Sequence, residues 1–231
     1  LARAARAAGA RIFEQSAVIA AEHHAGHWVL RTGAGKLRAR HLLVATNAYH
    51  RPLDGPQPPD VPVVQFFQIA TEPLGHNIAG DILPGGEGAW DTGLIMTALR
   101  RDAAGRVILG GMGAGGRLHE GWARRKLARL FPRLAAAPIA QAWSGRIAMT
   151  GDHLPRILRL GPRALAVYGY SGRGIAPGTV FGAAAAEALL ADDATGLPVP
   201  PTDSHSEAYA ALRTLGFEAA ARSVHLMAAR L

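Results

Sequence analysis

The sequence predicts a two-part fold of the α/β plus α+β class, in which a parallel-sheet domain is interrupted by an antiparallel one. Residues 42–45 form a short, wholly apolar run, which is typical of a buried strand in a parallel sheet. A proline-rich connector at 52–62 separates this run from longer strand patterns in the middle of the chain. A strand pattern at 167–170 then leads through a glycine-rich turn into an alanine-rich helix. We therefore expect a parallel-sheet domain at 1–60 and 151–191, an inserted antiparallel domain at 61–150, and a tail with a helix at 192–231.

Apolar periodicity and breaker residues predict the individual elements. Helical patterns occur at 2–9, 119–130, 179–190 and 206–229. The second of these stops at Phe131, because Pro132 disfavours helix at the residue before it. Strand patterns occur at 11–18, 28–32, 36–40, 42–45, 63–71, 93–99, 106–110, 139–143, 146–150 and 167–170, with a hairpin turn at 33–35.

Composition limits the class of protein. The chain has 231 residues, of which 49% are hydrophobic, so it can bury a sizeable core in one or two domains. Its 28 glycines and 15 prolines are spread along the whole length, which favours many turns over a helical bundle. No cysteine is present, which excludes disulfides, thiolate metal ligands and a cysteine nucleophile among these residues. No apolar run approaches a membrane span of roughly 18 residues, and no signal-peptide core is visible, so we expect a cytoplasmic location.

The net charge of +8 comes almost wholly from arginine. The densest basic group, at 124–133, lies in a helical pattern with Leu127, Leu130 and Leu134 on the other face, as in an ordinary solvated helix. No aromatic platform or nucleic-acid-reading motif accompanies this charge. Nucleic acid is therefore not an expected partner.

The histidines do not predict a metal site. His23, His24 and His27 lie loosely around a hairpin with only Glu22 to orient them. His119 lacks the second histidine of a zinc-binding helix. No metal is expected.

Gly172, Arg173 and Gly174 form the most informative motif in the chain. Glycine permits positive φ and close backbone approach, and the helix that follows turns its free N–H groups and its positive dipole end toward one spot. Such a spot suits an anion or an electron-rich ring.

Four segments in a fixed order carry a family resemblance: residues 42–49, 105–111, 143–155 and 169–182. Together they resemble the C-terminal half of the FAD-dependent amino-acid and amine oxidase family, the D-amino-acid oxidase superfamily, over roughly residues 10–190. The family includes glycine oxidase and gamma-glutamylputrescine oxidase. The resemblance implies an FAD-binding domain with an inserted substrate domain. It also implies that the Gly-x-Gly-x-x-Gly unit for the ADP half of FAD is missing, because nothing before Gly9 supplies it and the chain starts at Leu1 inside a helical pattern.

The resemblance implies non-covalent FAD, because relatives that tether flavin in this region use a cysteine. It also implies oxidation of a C–N bond by hydride transfer from the substrate α-carbon to flavin N5, without a strong catalytic base. Donors and the Arg173 cation near the flavin pyrimidine edge would stabilise the reduced ring. No catalytic residue is assigned, and the implied cofactor-binding residues are Val18, Ala45, Thr46, Asn47, Gly172, Arg173, Gly174, Ile175 and Thr179.

The substrate is expected to be a small amine or amino acid. Part of the family clamps a substrate carboxylate with an arginine two residues after the glycine of a Trp-x-Gly-x-Arg strand, whereas here Arg146 directly follows Gly145. Because side chains alternate across a strand, that offset turns Arg146 to the opposite face unless a bulge intervenes. Arg100 and Arg101 are no better supported, which favours amines such as gamma-glutamylputrescine over simple α-amino acids. The implied substrate-binding residues are Tyr49, Arg146 and Tyr170.

Two other functions remain open at this point. The chain is a non-catalytic remnant that binds no flavin, or it is an NAD-binding domain that uses Gly111, Gly113 and Gly116, which match a dinucleotide fingerprint after a strand. The second is disfavoured because the helix is expected only after Arg117 and no acidic residue lies between Glu120 and Asp152 to hold a ribose. A flexible turn in the inserted domain is the preferred interpretation of these glycines.

Overall fold

The computed structural model describes residues 1–75, 78 and 80–228, which divide into two compact units. Unit 1 comprises Leu1–Pro59, Pro155–Tyr168 and Ile175–His205, and unit 2 comprises Asp60–Leu154, Gly169–Gly174 and Ser206–Leu231. The strands are β1 (Val18–His24), β2 (His27–Thr32), β3 (Gly35–Ala39), β4 (Leu42–Val44), β5 (Val63–Thr71), β6 (Ala89–Trp90), β7 (Ala98–Arg101), β8 (Val107–Met112), β9 (Ile139–Ala148), β10 (Arg156–Gly161) and β11 (Ala164–Tyr168). The helices are α1 (Ala2–Ala7), α2 (Arg117–Leu130), α3 (Ile175–Ala191) and α4 (Ala210–Met227), with short 3₁₀ turns at Asn47–Tyr49 and Pro132–Leu134. The mixed α/β class is as predicted.

Unit 1 contains an antiparallel meander of β1, β2 and β3. The β1–β2 turn places Ala25 and Gly26 at φ values of 49° and 77°, the left-handed pair that matches the twist of a two-residue hairpin. Trp28 anchors the meander, because it is 1% exposed and its indole N–H donates to the Pro162 carbonyl at 2.9 Å. The predicted β2–β3 hairpin is confirmed.

The strand predicted at 11–18 is wrong, since β1 begins only at Val18. Val18 pairs with Thr32, the last residue of β2 before the turn, so residues 11–17 have no β2 residue opposite them. A segment whose residues favour a strand does not become one without a neighbouring strand to complete its backbone hydrogen bonds.

The second sheet of unit 1 has the order β10-β11-β4, with β4 parallel to β11 and β10 antiparallel to it. Leu42 lies opposite Ala164 in this parallel pair, which confirms the predicted parallel pairing of the apolar run. All five residues of β11 are buried. This strand ends before Gly169, two residues earlier than predicted, because Gly169 adopts a φ of 80° that leaves the extended region.

Unit 2 is built on an antiparallel sheet of order β6-β7-β8-β5-β9. One face, here called the Phe67 face, carries Phe67, Ile69 and Leu109 and packs against α2 and α4 to form the main core. The other face, here called the Gln68 face, carries the alternate residues, because directly opposite residues of antiparallel strands share a face. Its residues include Phe66, Gln68, Ile108, Gly110, Met112, Trp143, Gly145 and Ile147.

Two strand predictions in unit 2 are corrected by local pairing. The segments predicted as separate strands at 139–143 and 146–150 form one strand, β9, because Ser144 and Gly145 stay paired with Phe67 and Phe66. The strand predicted at 93–99 starts only at Ala98, because the carboxylate of Asp91 accepts the backbone N–H groups of Gly93 and Thr97 and holds the intervening residues in a turn.

The helices agree with prediction in type and differ in their ends. α2 stops at Leu130 as expected, but it begins directly at Arg117 after Gly116. α3 begins at Ile175, four residues before the predicted start, and α4 covers Ala210–Met227 within the predicted 206–229. Residue 229 lies outside the described residues. Among the residues that the structure describes, no helix combines the length and apolarity needed to cross a bilayer.

Candidate functional site

Unit 1 contains a cavity of about 440 Å³ beside β4. Val18, Ala45, Thr46 and Tyr49 line it together, so four of the predicted site residues meet at one place. Most of the remaining lining is apolar, and the volume falls within the range of small-molecule sites. Asn47 belongs to the same 3₁₀ turn as Tyr49 but does not line the cavity.

The polar rim of this cavity is held by a short chain of hydrogen bonds. The Thr46 hydroxyl lies 3.1 Å from His50 Nδ1, and His50 Nε2 lies 3.1 Å from Gln57 Oε1. The Gln57 Oε1 atom also accepts the backbone N–H of Leu53 at 3.3 Å. These hydrogen bonds fix the turn that follows β4, and they hold Thr46 in place at the edge of the cavity.

The glycine loop at 169–174 belongs to unit 2 and is fixed against β9. Ser171 N–H donates to the Ala148 carbonyl at 3.0 Å, and Arg173 N–H donates to the Tyr170 carbonyl at 2.9 Å. Ser171 and Gly172 adopt φ values of 50° and 87°, which is why glycine is needed at the second position. The loop is therefore a defined bend.

Space remains beside this bend. A Cβ placed on Gly172 would come no nearer than 3.9 Å to Ile147, and one placed on Gly174 would lie 4.0 Å from the Cβ of Tyr170. Ile175, the first residue of α3, is 87% exposed. The Thr179 hydroxyl donates to the Ile175 carbonyl at 2.9 Å, so its proton is used within the helix.

The predicted substrate residues lie in different parts of the two units. Tyr49 is in unit 1 and is 60% exposed. Tyr170 is in the glycine loop, and burial raises the pKa of its phenol above the ordinary value, so it stays protonated at neutral pH. Arg146 lies opposite Gln65 on β5, which places it on the Phe67 face.

The register of β9 also decides the direction of Arg146 relative to the glycine loop. Pairing with β5 runs without a bulge from Ala148 to Gln141, so side chains alternate strictly. Ile147, which lies nearest to Gly172, is on the Gln68 face, whereas Arg146 is on the opposite one. This agrees with the expectation that the one-residue offset turns Arg146 away.

The glycines from Gly110 to Gly116 serve packing. β8 pairs antiparallel with β7 and β5, whereas a dinucleotide fingerprint needs a parallel β-α-β unit, so the structure does not support an NAD site here. A Cβ on Gly111 would lie 2.8 Å from the Trp122 ring, and one on Gly113 would lie 2.5 Å from His119 Nδ1. α2 does begin directly after Gly116, contrary to expectation, but Gly111 and Gly113 are required by the neighbouring aromatic rings.

Two polar arrangements were not predicted. On the Gln68 face, the Arg100 guanidinium donates to Gln68 Oε1 at 2.7 Å. In the core, His119 Nδ1 lies 2.7 Å from His225 Nδ1, and His119 Nε2 lies 3.3 Å from a Glu218 oxygen. Burial, and then the charge of His119, lower the pKa of His225 to about 4. The two glutamines in the aromatic strand β5 were the only sequence signal for the first, and none pointed to the second.

The described residues contain no group of three or more His, Cys, Asp or Glu side chains arranged to hold a metal ion. Chemically, the chain thus presents a backbone-lined bend in unit 2, an apolar cavity with hydroxyl groups in unit 1, and one sheet face with a guanidinium.

Known proteins resemble this chain over most of its length. Residues 1–188 match the DAO family model, described as FAD dependent oxidoreductase. The probable oxidoreductase OrdL of Haemophilus influenzae is 31% identical over 198 residues, which is 84% of this chain and 46% of that protein. Gamma-glutamylputrescine oxidoreductase of Escherichia coli (strain K12) is 30% identical over 194 residues, covering 82% and 45% of the two chains.

A similar fold occurs in the crystal structure of glycine oxidase from Geobacillus kaustophilus, with a TM-score of 0.67 at 20% identity over 85% of this chain and 53% of that one. The chain spans about half the length of the proteins that it matches. Because the family model matches most of its residues, the chain belongs to the FAD dependent oxidoreductase family.

Proposed function

We propose that these residues form the substrate-side half of an enzyme that oxidises a C–N bond in an amine or amino acid with FAD. The observation that carries the proposal is the open bend at Gly172 to Gly174, held by backbone hydrogen bonds inside a chain of the FAD dependent oxidoreductase family. FAD, when bound, accepts a hydride and so takes up the two electrons of the oxidation.

The residues present are suited to holding parts of this cofactor. In unit 2, Gly172 and Gly174 leave space beside their backbone. In unit 1, the exposed start of α3 offers the N–H groups of Ile175, Ala176 and Gly178, which have no helical partner. These donors suit the electron-rich edge of a flavin ring. Val18, Ala45 and Thr46 line an apolar cavity of a size that suits part of an aromatic cofactor.

The side chains of this chain would orient the substrate and stabilise charge. Arg173 brings a cation to the bend, which favours the reduced, anionic form of the ring system. Tyr170 keeps its phenol proton at neutral pH and is therefore a hydrogen-bond donor in the same loop. None of these residues can tether the flavin through a cysteine sulfur, because none of them is a cysteine.

An amine that also bears a carboxylate is the substrate class that we favour. The Escherichia coli relative is named for gamma-glutamylputrescine, which has a primary amine at one end. Arg146, at the offset position of the carboxylate clamp, lies on the Phe67 face, away from the side to which Ile147 and the glycine loop belong. A simple α-amino acid would therefore lack its usual partner at this position.

The visible spectrum tests the proposal. We expect purified protein mixed with FAD to keep a flavin band through gel filtration, and gamma-glutamylputrescine to bleach that band under anaerobic conditions. Gly174→Leu should abolish flavin retention, because the fold has room for the new side chain and only the space proposed for the ring is filled. Gly182→Leu is the matched control, since a Cβ there meets nothing within 4 Å and one at Gly174 meets only Tyr170 Cβ, at 4.0 Å. Equal flavin retention by both variants would contradict the placement.

A non-catalytic remnant is the second candidate function. Strand β4 is an edge of the three-stranded sheet in unit 1, and such an edge presents unpaired backbone groups. A colourless protein that stays colourless after incubation with FAD would favour this function over the first.

A further inference from the structure

We propose that Arg100, held in position by Gln68, binds the carboxylate of the substrate on the Gln68 face. This inference rests on the proposed oxidation of an amine or amino acid and names the residue that selects for an anionic group. Arg100, Gln68 and the residues around them all belong to unit 2.

Arg100 is the arginine whose direction fits this role. It lies opposite Ile108 on β8, and Ile108 lies opposite Ala70 on β5, so Arg100 shares the face of Gln68. Ile147, which lies nearest to Gly172 in the glycine loop, is on the same face. Arg101 instead donates to the Leu83 and Pro84 carbonyls, and so supports the fold.

The Arg100 guanidinium is positioned but not neutralised. It donates to Gln68 Oε1 at 2.7 Å, and among the residues that the structure describes it forms no ion pair with a carboxylate. A neutral amide orients the guanidinium and leaves its positive charge and remaining donors for another acceptor. Planar paired donors are the geometry that best recognises a carboxylate.

The shape of the Gln68 face supports a ligand at this place. One row across the five strands reads Trp90, Ala98, Gly110, Gln68 and Trp143. Ala98, Gly110 and Gln68 therefore occupy the middle of the row and tryptophans its two ends, where they are 73% and 41% exposed. Exposed aromatic rings that flank a polar centre are typical of a binding surface.

Gly110 explains how Arg100 and Gln68 reach each other across β8. Gly110 lies opposite Gln68 and has no side chain, and a Cβ placed there would lie 2.7 Å from Phe66 Cε1 and 3.0 Å from Gln68 Cγ. The glutamine thus leans over the glycine toward β7. Gln68 acts as a positioning residue, whereas Arg100 is expected to touch the substrate.

Steady-state kinetics of the FAD-loaded protein test the inference with two substrates. Gamma-glutamylputrescine carries a primary amine and an α-amino carboxylate, whereas putrescine has the amine without the carboxylate. For Arg100→Gln we expect KM for gamma-glutamylputrescine to rise about 100-fold with little change in kcat, as loss of a charge-assisted pair predicts. The kcat/KM for putrescine should be unchanged. Arg100→Lys should raise KM for gamma-glutamylputrescine by roughly 10-fold, because lysine keeps the positive charge and loses the planar pair of donors.

Gln68→Glu provides a second variant with an independent logic. A carboxylate at this position would pair with Arg100 and compete with the substrate, so its KM for gamma-glutamylputrescine should rise toward that of Arg100→Gln. Arg124→Gln, an exposed position on α2, is the matched charge control and should leave KM unchanged.

Calorimetry with glutarate separates this inference from the proposed function. Glutarate offers carboxylates and no amine, so its binding does not need turnover. If the wild-type protein oxidises gamma-glutamylputrescine and Arg100→Gln leaves both KM and the glutarate Kd within about twofold, the inference is wrong. If neither substrate is oxidised, the proposed function fails, and loss of glutarate binding in Arg100→Gln would still support Arg100 as the carboxylate site.

Discussion

At the scale of single residues, glycine is needed at Gly113 because of its neighbour as well as its backbone. Its φ is 136°, and a Cβ would meet the buried ring of His119 at 2.5 Å. Gly116 has a φ of 82°, but a Cβ placed on it would meet no atom within 4 Å. The two positions therefore share backbone strain and differ in packing.

This difference gives a matched pair of variants. Gly113→Ala should lower the free energy of unfolding by about 2 kcal/mol more than Gly116→Ala, because overpacking is added to similar backbone strain. Urea unfolding followed by tryptophan fluorescence measures both. Equal losses would mean that His119 moves aside at little cost.

The direction of a side chain along a strand could be predicted from the sequence, whereas contacts between residues distant in sequence could not. The offset of Arg146 from Gly145 was enough to predict its direction, because alternation along a strand is a local property. The pair Arg100 and Gln68 was not predictable, because it depends on which strands lie beside each other and on the absence of a side chain at Gly110 between them. His119 and His225 are 106 positions apart and carry no shared motif.

At the scale of elements, α4 is attached to the core of unit 2 through an uncharged histidine. His225 is fully buried, stacks on Trp122 with ring centroids 4.1 Å apart, and faces His119, Glu218 and Arg125. Its pKa is lowered from 6.5 to about 4, so the folded protein keeps the neutral form under mildly acidic conditions in which the unfolded chain binds a proton.

The sign of this linkage predicts acid sensitivity. The contribution of the neutral His225 to the free energy of unfolding is constant above about pH 7. It is lost as the pH falls from about 6.5 toward 4, because the unfolded state then binds more protons than the folded one. Between pH 7.5 and pH 5, the wild-type protein should lose about 2 kcal/mol more of its unfolding free energy than His225→Phe. Urea midpoints at the two pH values measure the difference, and identical losses would show that His225 does not carry the effect.

Element types were largely predictable and element ends were not. Local patterns were enough to predict the parallel pairing of β4, the span of β5 and the end of α2 just before Pro132. The start of β1 and the continuity of β9 depend on which partner strand lies alongside. A pattern of side chains does not contain that information, because hydrogen-bond partners are distant in sequence.

At the scale of the whole molecule, cofactor binding should be visible as stability. A ligand that binds only the folded state at 100 times its Kd adds about 2.7 kcal/mol. For a chain of 231 residues, this corresponds to a rise in Tm of roughly 5–10 °C with FAD.

Equimolar NAD provides the comparison in the same experiment. It should leave Tm unchanged, since β8 lies in an antiparallel sheet and the rings of Trp122 and His119 fill the space beside Gly111 and Gly113. A shift with NAD and none with FAD would reverse the assignment of the cofactor.

The order in which unit 2 takes its residues from the chain has a consequence for its biosynthesis. Phe67 and Trp122 are made early, but Ala221 and His225, which complete their core, emerge from the ribosome only after the strands and helix contributed by 155–168 and 175–205. Because translation proceeds at roughly 5–20 residues per second, the apolar surface of Phe67 and Trp122 stays exposed on the nascent chain for several seconds. Unit 2 therefore reaches its packed core only after its last helix has been made.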